Sequence, residues 1–88
     1  MASYRVLLKP AVEKDLRAIP RALAGKILKR IEALRDNPLS PQSVKLVEAE
    51  GLYRIRVGDY RIVYGVSHEA RQVMVHYVRH RRDVYRRL

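Results

Sequence analysis

Two hydrophobic periods divide the chain. Over residues 4–8, Tyr4, Val6 and Leu8 share one face and Arg5 and Leu7 the other, which predicts a first strand. Pro10 suits the opening turn of a helix, where its missing N–H would have no partner anyway. Val12, Leu16 and Ile19 then recur at helical spacing, so residues 10–19 read as a short amphipathic helix that Pro20 ends. Pro20 also opens a second helix. Its stripe is Leu23, Ile27, Ile31 and Leu34, widened by Leu28, with Lys26, Lys29, Arg30 and Arg35 facing away. Asn37-Pro38 stops that helix, because a residue before proline avoids the helical region. The two helices should pack as a hairpin, followed by a polar loop over residues 39–43.

The second half alternates with the period of strands. Segments 52–57 and 60–66 are separated only by Gly58-Asp59, and glycine first in a two-residue loop favours a type II′ hairpin. A third strand over 73–78 follows the loop 67–71, and the tail 79–88 ends in an expected helical turn. The order is β-α-α-β-β-β, an α+β class with an antiparallel sheet packed on a helix hairpin. The whole chain, residues 1–88, reads as a single domain, since this length buries roughly 60–65 % of its unfolded surface in one modest core.

The hairpin loop fixes a register. Val57 meets Tyr60, Ile55 meets Ile62 and Tyr53 meets Tyr64, an apolar face suited to the helix pair. The other face sets Arg56 opposite Arg61 and Arg54 opposite Val63. Like charges directly opposed destabilise a sheet, so a purely structural face would carry Thr or opposite-charge pairs instead. Binding of an anion explains the cost, because the planar arginine fork matches phosphate and stays charged at any working pH. Tyr4, Tyr53, Tyr60 and Tyr64 read as packing residues, His76 as a packed or surface histidine, and His68 carries no functional signal.

Charge strengthens that reading. The 19 Lys+Arg outnumber 9 Asp+Glu for a net charge of +10, and the excess is greater per residue beyond position 51. A polyanionic partner follows, and the absence of Trp and Phe beside six tyrosines favours nucleic acid over lipid. No cysteine is present, which excludes a disulfide scaffold, a thiolate nucleophile and a Cys-ligated metal. No apolar run reaches the ~20 residues of a membrane span, and Arg5, Lys9 and Glu13 interrupt any leader-like start, so a cytoplasmic location without membrane association is expected. No paired carboxylates, metal-ligand spacing, P-loop or dinucleotide fingerprint occurs; Glu48 and Glu50 read as loop residues and Asp59 as a turn residue. Phosphodiester chemistry, if present, is expected to proceed without metal or other cofactor.

The run Gly51-Leu52-Tyr53-Arg54-Ile55-Arg56-Val57-Gly58-Asp59-Tyr60-Arg61-Ile62-Val63-Tyr64 resembles the hairpin of the RelE/ParE toxin superfamily. The segment His80-Arg81-Arg82-Asp83-Val84-Tyr85 resembles the C-terminal motif of its RelE branch, and the opening strand and helices agree. The resemblance implies a RelE-like, microbial-RNase-like fold and a toxin paired with a RelB-like antitoxin that wraps it in a hetero-oligomer. It also implies an endoribonuclease that enters the ribosomal A site and cuts messenger RNA by attack of the ribose 2′-OH, leaving a 2′,3′-cyclic end. Arg61 matches the family's phosphate-stabilising arginine, Arg81 its second catalytic arginine, and Tyr85 the tyrosine that stacks or orients RNA. Arg56 joins this catalytic set, and Arg54, Arg56, Arg79 and Arg82 are the phosphate-binding candidates.

The chain departs from the RelE pattern at Arg54 and Arg56, where that pattern has lysines, one of them often given a proton-transfer role. Arginine holds phosphate but does not give up its proton, so it is a poor general base. His80 or Tyr85 then carries the proton, or the enzyme is slow outside the ribosome. The spacing from Arg81 to Tyr85 is also two residues shorter. Two other readings stay open: a ParE-like toxin that poisons DNA gyrase, which would not need Arg61, Arg81 and Tyr85 together, and an RNA- or ribosome-binding relative without catalysis.

Overall fold

Strand β1, Arg5–Leu8, runs straight into a helix because Pro10 occupies its first turn. The computed structural model describes residues 3–40, 43–46 and 51–81. Helix α1 spans Pro10–Arg17, with Glu13 in its first turn and Lys14 and Arg17 in its last, an arrangement that suits the helix dipole. Pro20 stands at the N-cap of α2, Arg21–Ala33. The remaining strands are β2 (Val44–Lys45), β3 (Leu52–Val57), β4 (Tyr60–Ser67) and β5 (Gln72–His80).

The α+β class holds, and the sheet has five strands in the order β1-β5-β4-β3-β2. It differs from expectation in two respects. The sheet is mixed, since β1 runs parallel to β5, pairing Arg5 with Gln72 through Leu8 with Val75. The alternation of β1 marks its buried face but not its neighbour, so strand direction was never in the pattern. Val44 and Lys45 also pair with Arg54 and Tyr53, adding a short outer strand just after the expected loop. Arg81 has helical backbone, and the rest of the expected C-terminal turn lies outside the described residues.

Ile27, Ile31 and Leu34 of the α2 side, with Val12 of α1, pack on Ile55, Ile62, Tyr64, Val73, Val75 and Val78 of the sheet. Tyr4, Tyr53 and Tyr60 pack around this core as read from the sequence. Each fully buried aliphatic side chain contributes about 1.5–3 kcal/mol of transfer free energy. The Tyr64 hydroxyl donates to the Pro38 carbonyl at 2.7 Å, tying β4 to the turn after α2. Burial pushes the Tyr64 phenol above its ordinary pKa, so it remains the neutral donor this bond needs. Leu28, counted in the α2 stripe, is instead 42 % exposed.

The hairpin register is the predicted one at every pair from Tyr53↔Tyr64 to Val57↔Tyr60. Gly58 adopts φ +60° and Asp59 does not have positive φ, the combination a type II′ turn requires. One feature of the meander was not visible in periodicity. Val63 pairs with Tyr77 but Tyr64 pairs with Val75, so His76 is an extra residue, a β-bulge. Gly65 makes room for it: a Cβ there would stand 3.3 Å from His76 Nε2 and 3.3 Å from Leu52 Cδ2.

Candidate functional site

The bulge at His76 decides which side chains of β5 meet which of β4. Before it, Val73 and Val75 are buried against the helices. Had β5 run straight, residues 77 and 79 would continue on that face. The extra residue reverses the alternation, so Val78 becomes the buried one, opposite Ile62, while Tyr77 and Arg79 stand beside Val63 and Arg61 on the outer face. Three arginines therefore form a row across three adjacent strands: Arg56 on β3, Arg61 on β4, Arg79 on β5. Arg54 stands on the same outer face, in the next row, between Val44 and Val63.

Arg81 closes the site. Its N–H donates to the Asp59 carbonyl at 2.7 Å, which fastens the end of β5 to the hairpin loop. Arg56, Arg61 and Arg81 together line a small cleft of about 100 Å³, walled by Gly58, Asp59 and Tyr60. This brings together three of the residues singled out from the sequence, and its size suits one phosphate rather than a whole nucleotide.

The other candidates are arranged differently. Arg79 shares the row, but its guanidinium pairs with the Asp15 carboxylate of α1 and lies 5.3 Å from the centre of the Tyr77 ring. His80 pairs with Tyr60 and meets its ring edge-on at 5.2 Å, on the helix-facing side of the sheet. The arginine row faces the other way, so the fold does not bring His80 together with it. Arg82 and Tyr85, like Glu48 and Glu50, lie outside the described residues.

Sequence reasoning missed Asp15. One of its oxygens accepts the Val78 N–H at 3.1 Å and the other takes the Arg79 guanidinium. The available signal was its position on α1, one residue before the buried-face Leu16, where an acidic side chain borders the core face. His76 is the other residue whose role emerges only here. Burial, aided by the Lys9 charge, holds its pKa below the ordinary value, so it is neutral at pH 7. His68, without a functional signal in the sequence, accepts or donates a 2.9 Å hydrogen bond with the Tyr4 hydroxyl.

A larger groove of about 840 Å³ lies at the opposite end of β5, along the open edge of β1. Tyr4, Val6, Leu8, Leu28 and Ile31 supply its apolar lining and Arg5, Arg35 and Arg71 its basic rim. Among the described residues, no helix is long and apolar enough to cross a membrane.

A profile of the ParE toxin of type II toxin–antitoxin systems, parDE, matches residues 6–85. Toxin RelG of Mycobacterium tuberculosis is 32 % identical over 85 residues, spanning 96 % of this chain and 98 % of its own. Putative toxin RelE1 of Methanocaldococcus jannaschii is 27 % identical over 86 residues, 94 % of this chain and 96 % of its own. Among solved structures, the archaeal RelE–RelB complex from Pyrococcus horikoshii superposes with a TM-score of 0.79 at 29 % identity, covering 90 % of this chain and 96 % of that one.

Proposed function

This chain belongs to the ParE toxin family of type II toxin–antitoxin systems, within the RelE/ParE superfamily, and on that premise we propose that it is a RelE-type toxin that cuts messenger RNA in the ribosomal A site. The observation that carries the proposal is the cleft in which Arg56, Arg61 and Arg81 converge. In the reaction, the ribose 2′-oxygen bonds to the adjacent phosphorus and the 5′-oxygen of the next nucleotide leaves. The 2′-OH gives up its proton to a base and the leaving oxygen takes one up. Charge builds on the non-bridging phosphate oxygens, where fixed guanidinium groups contribute most. Arg61 and Arg81 take that role, while Arg56 and Arg54 hold the phosphates of the bound strand. The chemistry is metal-independent in this reading.

None of these arginines moves a proton at working pH. His80 lies on the opposite side of the sheet, packed on Tyr60. Proton transfer therefore falls to Tyr85 or to a group that the ribosome presents, and the second route accounts for dependence on the ribosome. The toxin acts in the cytoplasm, where translating ribosomes are. Its partner is a RelB-like antitoxin, in a hetero-oligomer, with the open edge of β1 and the exposed Leu8 and Leu28 as its apolar seat.

Primer extension on a message in a translating extract tests the proposal, with wild type compared with Arg81→Ala. Discrete cuts at ribosome-occupied codons, absent in the variant, are expected. An intact message with growth still arrested overturns the nuclease and directs the next assay to gyrase. An intact message without growth arrest leaves a binding-only relative.

A further inference from the structure

Beyond Val75, strand β5 has lost β1 as a neighbour, because β1 pairs only with Gln72–Val75. The half that carries Arg79 and leads to Arg81 thus has one open edge, and an N–H on such an edge would otherwise bond water. Asp15 of α1 occupies that edge. Its Oδ2 accepts the Val78 N–H at 3.1 Å, and its Oδ1 takes the Arg79 guanidinium. The Asp15 and Arg79 side chains are only 14 % and 23 % exposed, so the pair is partly shielded from competing water and salt.

Arg79 would otherwise be the third member of the phosphate-facing row, directly beside Arg61. Asp15 draws its guanidinium toward α1, where it also borders the Tyr77 ring. Two effects follow from one carboxylate. A cation beside Arg61 is neutralised, which lowers the repulsion the row would otherwise carry. The end of β5 is also anchored from outside, while the Arg81 N–H anchors it to Asp59 on the hairpin side. The strand end is held on both edges just where it delivers Arg81 to the cleft.

We propose that Asp15 is a positioning residue of the arginine site and that Arg79 is its structural partner rather than a phosphate ligand. The proposal rests on the nuclease reading for its effect on cleavage, but its structural half stands independently of that reading. Asp15 touches no substrate in this scheme. It acts through Arg79 and through the placing of Arg81.

The test compares full-length wild type with Asp15→Asn, Asp15→Ala, Arg79→Ala and the Asp15→Ala/Arg79→Ala double variant. Three quantities are read: cleavage in a translating extract, the salt dependence of binding to a single-stranded RNA oligonucleotide, and hydrogen exchange at the Val78 amide. Cleavage falls about ten- to hundred-fold in Asp15→Ala, the scale of a misplaced catalytic group. The double variant is no worse than the worse single one, because the two side chains act as a unit. Arg79→Ala keeps the wild-type salt slope, whereas loss of a true phosphate contact lowers it by about 0.7. Asp15→Asn retains an oxygen for the Val78 N–H, so that amide stays protected, but it releases Arg79. RNA then binds more tightly and with a steeper salt slope while cleavage is slower, a split that simple loss of structure does not produce. In Asp15→Ala the Val78 amide exchanges faster while the amides of β3 keep their protection.

A reduced salt slope in Arg79→Ala overturns the proposal, as does unchanged Val78 exchange in Asp15→Ala. If wild type cuts no message, the nuclease reading fails on its own, and the salt slope and Val78 exchange still decide between anchor and ligand.

Discussion

Arg56 and Arg61 stand directly opposite each other across the β3–β4 pair, two positive charges where a sheet gains most from opposite ones. The arrangement opposes folding, so a substitution there should separate stability from function. Arg56→Thr replaces a repelling partner with a β-branched residue and is expected to raise stability by about 0.2–1 kcal/mol. Affinity for single-stranded RNA should fall at the same time, with a shallower salt dependence. Thermal unfolding and a salt titration of RNA binding check both halves.

Tyr64 offers the converse case, where a polar group supports only the fold. Its hydroxyl donates to the buried Pro38 carbonyl. Tyr64→Phe keeps the ring and strands that acceptor, and is expected to cost about 1–3 kcal/mol. In a chain of this size each kcal/mol corresponds to about 4–8 °C of melting temperature. RNA binding should be unchanged in the folded fraction.

Gly25 lies exposed inside α2, and a Cβ built there meets nothing within 4 Å. Glycine in a helix interior is costly chiefly through the freedom it keeps in the unfolded chain. Gly25→Ala is expected to raise stability by about 0.5–1 kcal/mol, read from chemical denaturation with an unchanged m-value.

His76 predicts a pH dependence. Its pKa in the folded chain is depressed, by burial first and by Lys9 second. The unfolded chain therefore binds more protons between the depressed value and the ordinary one of about 6.5. Stability from this group is fully present above about pH 6.5 and is lost as pH falls through the depressed value. The melting temperature of wild type should decline on acidification over that range. His76→Gln should flatten that decline, and an equal decline in both proteins would mean that other groups carry it.

Much of the fold was legible along the chain. Pro10 and Pro20 mark where the helices start, because a ring that fixes φ and removes a donor acts locally, whereas α2 already ends at Ala33, ahead of the expected stop at Asn37-Pro38. Gly58-Asp59 determined the β3–β4 register down to Arg56 facing Arg61, because a two-residue loop leaves no slack in what it joins. The convergence of arginines on the hairpin was therefore a property of the sequence by itself. The parallel partner of β1, the bulge at His76 and the pairing of Asp15 with Arg79 were decided only in the tertiary structure. The first and the last join residues more than 60 positions apart, and the bulge depends on how β5 lines up against β4. Alternation reports the face of a strand but is blind to its neighbour. One added residue at His76 reverses that face for everything after it. The local pattern of β5 thus does not say where Arg79 and Arg81 point; packing of Val78 against the helices does.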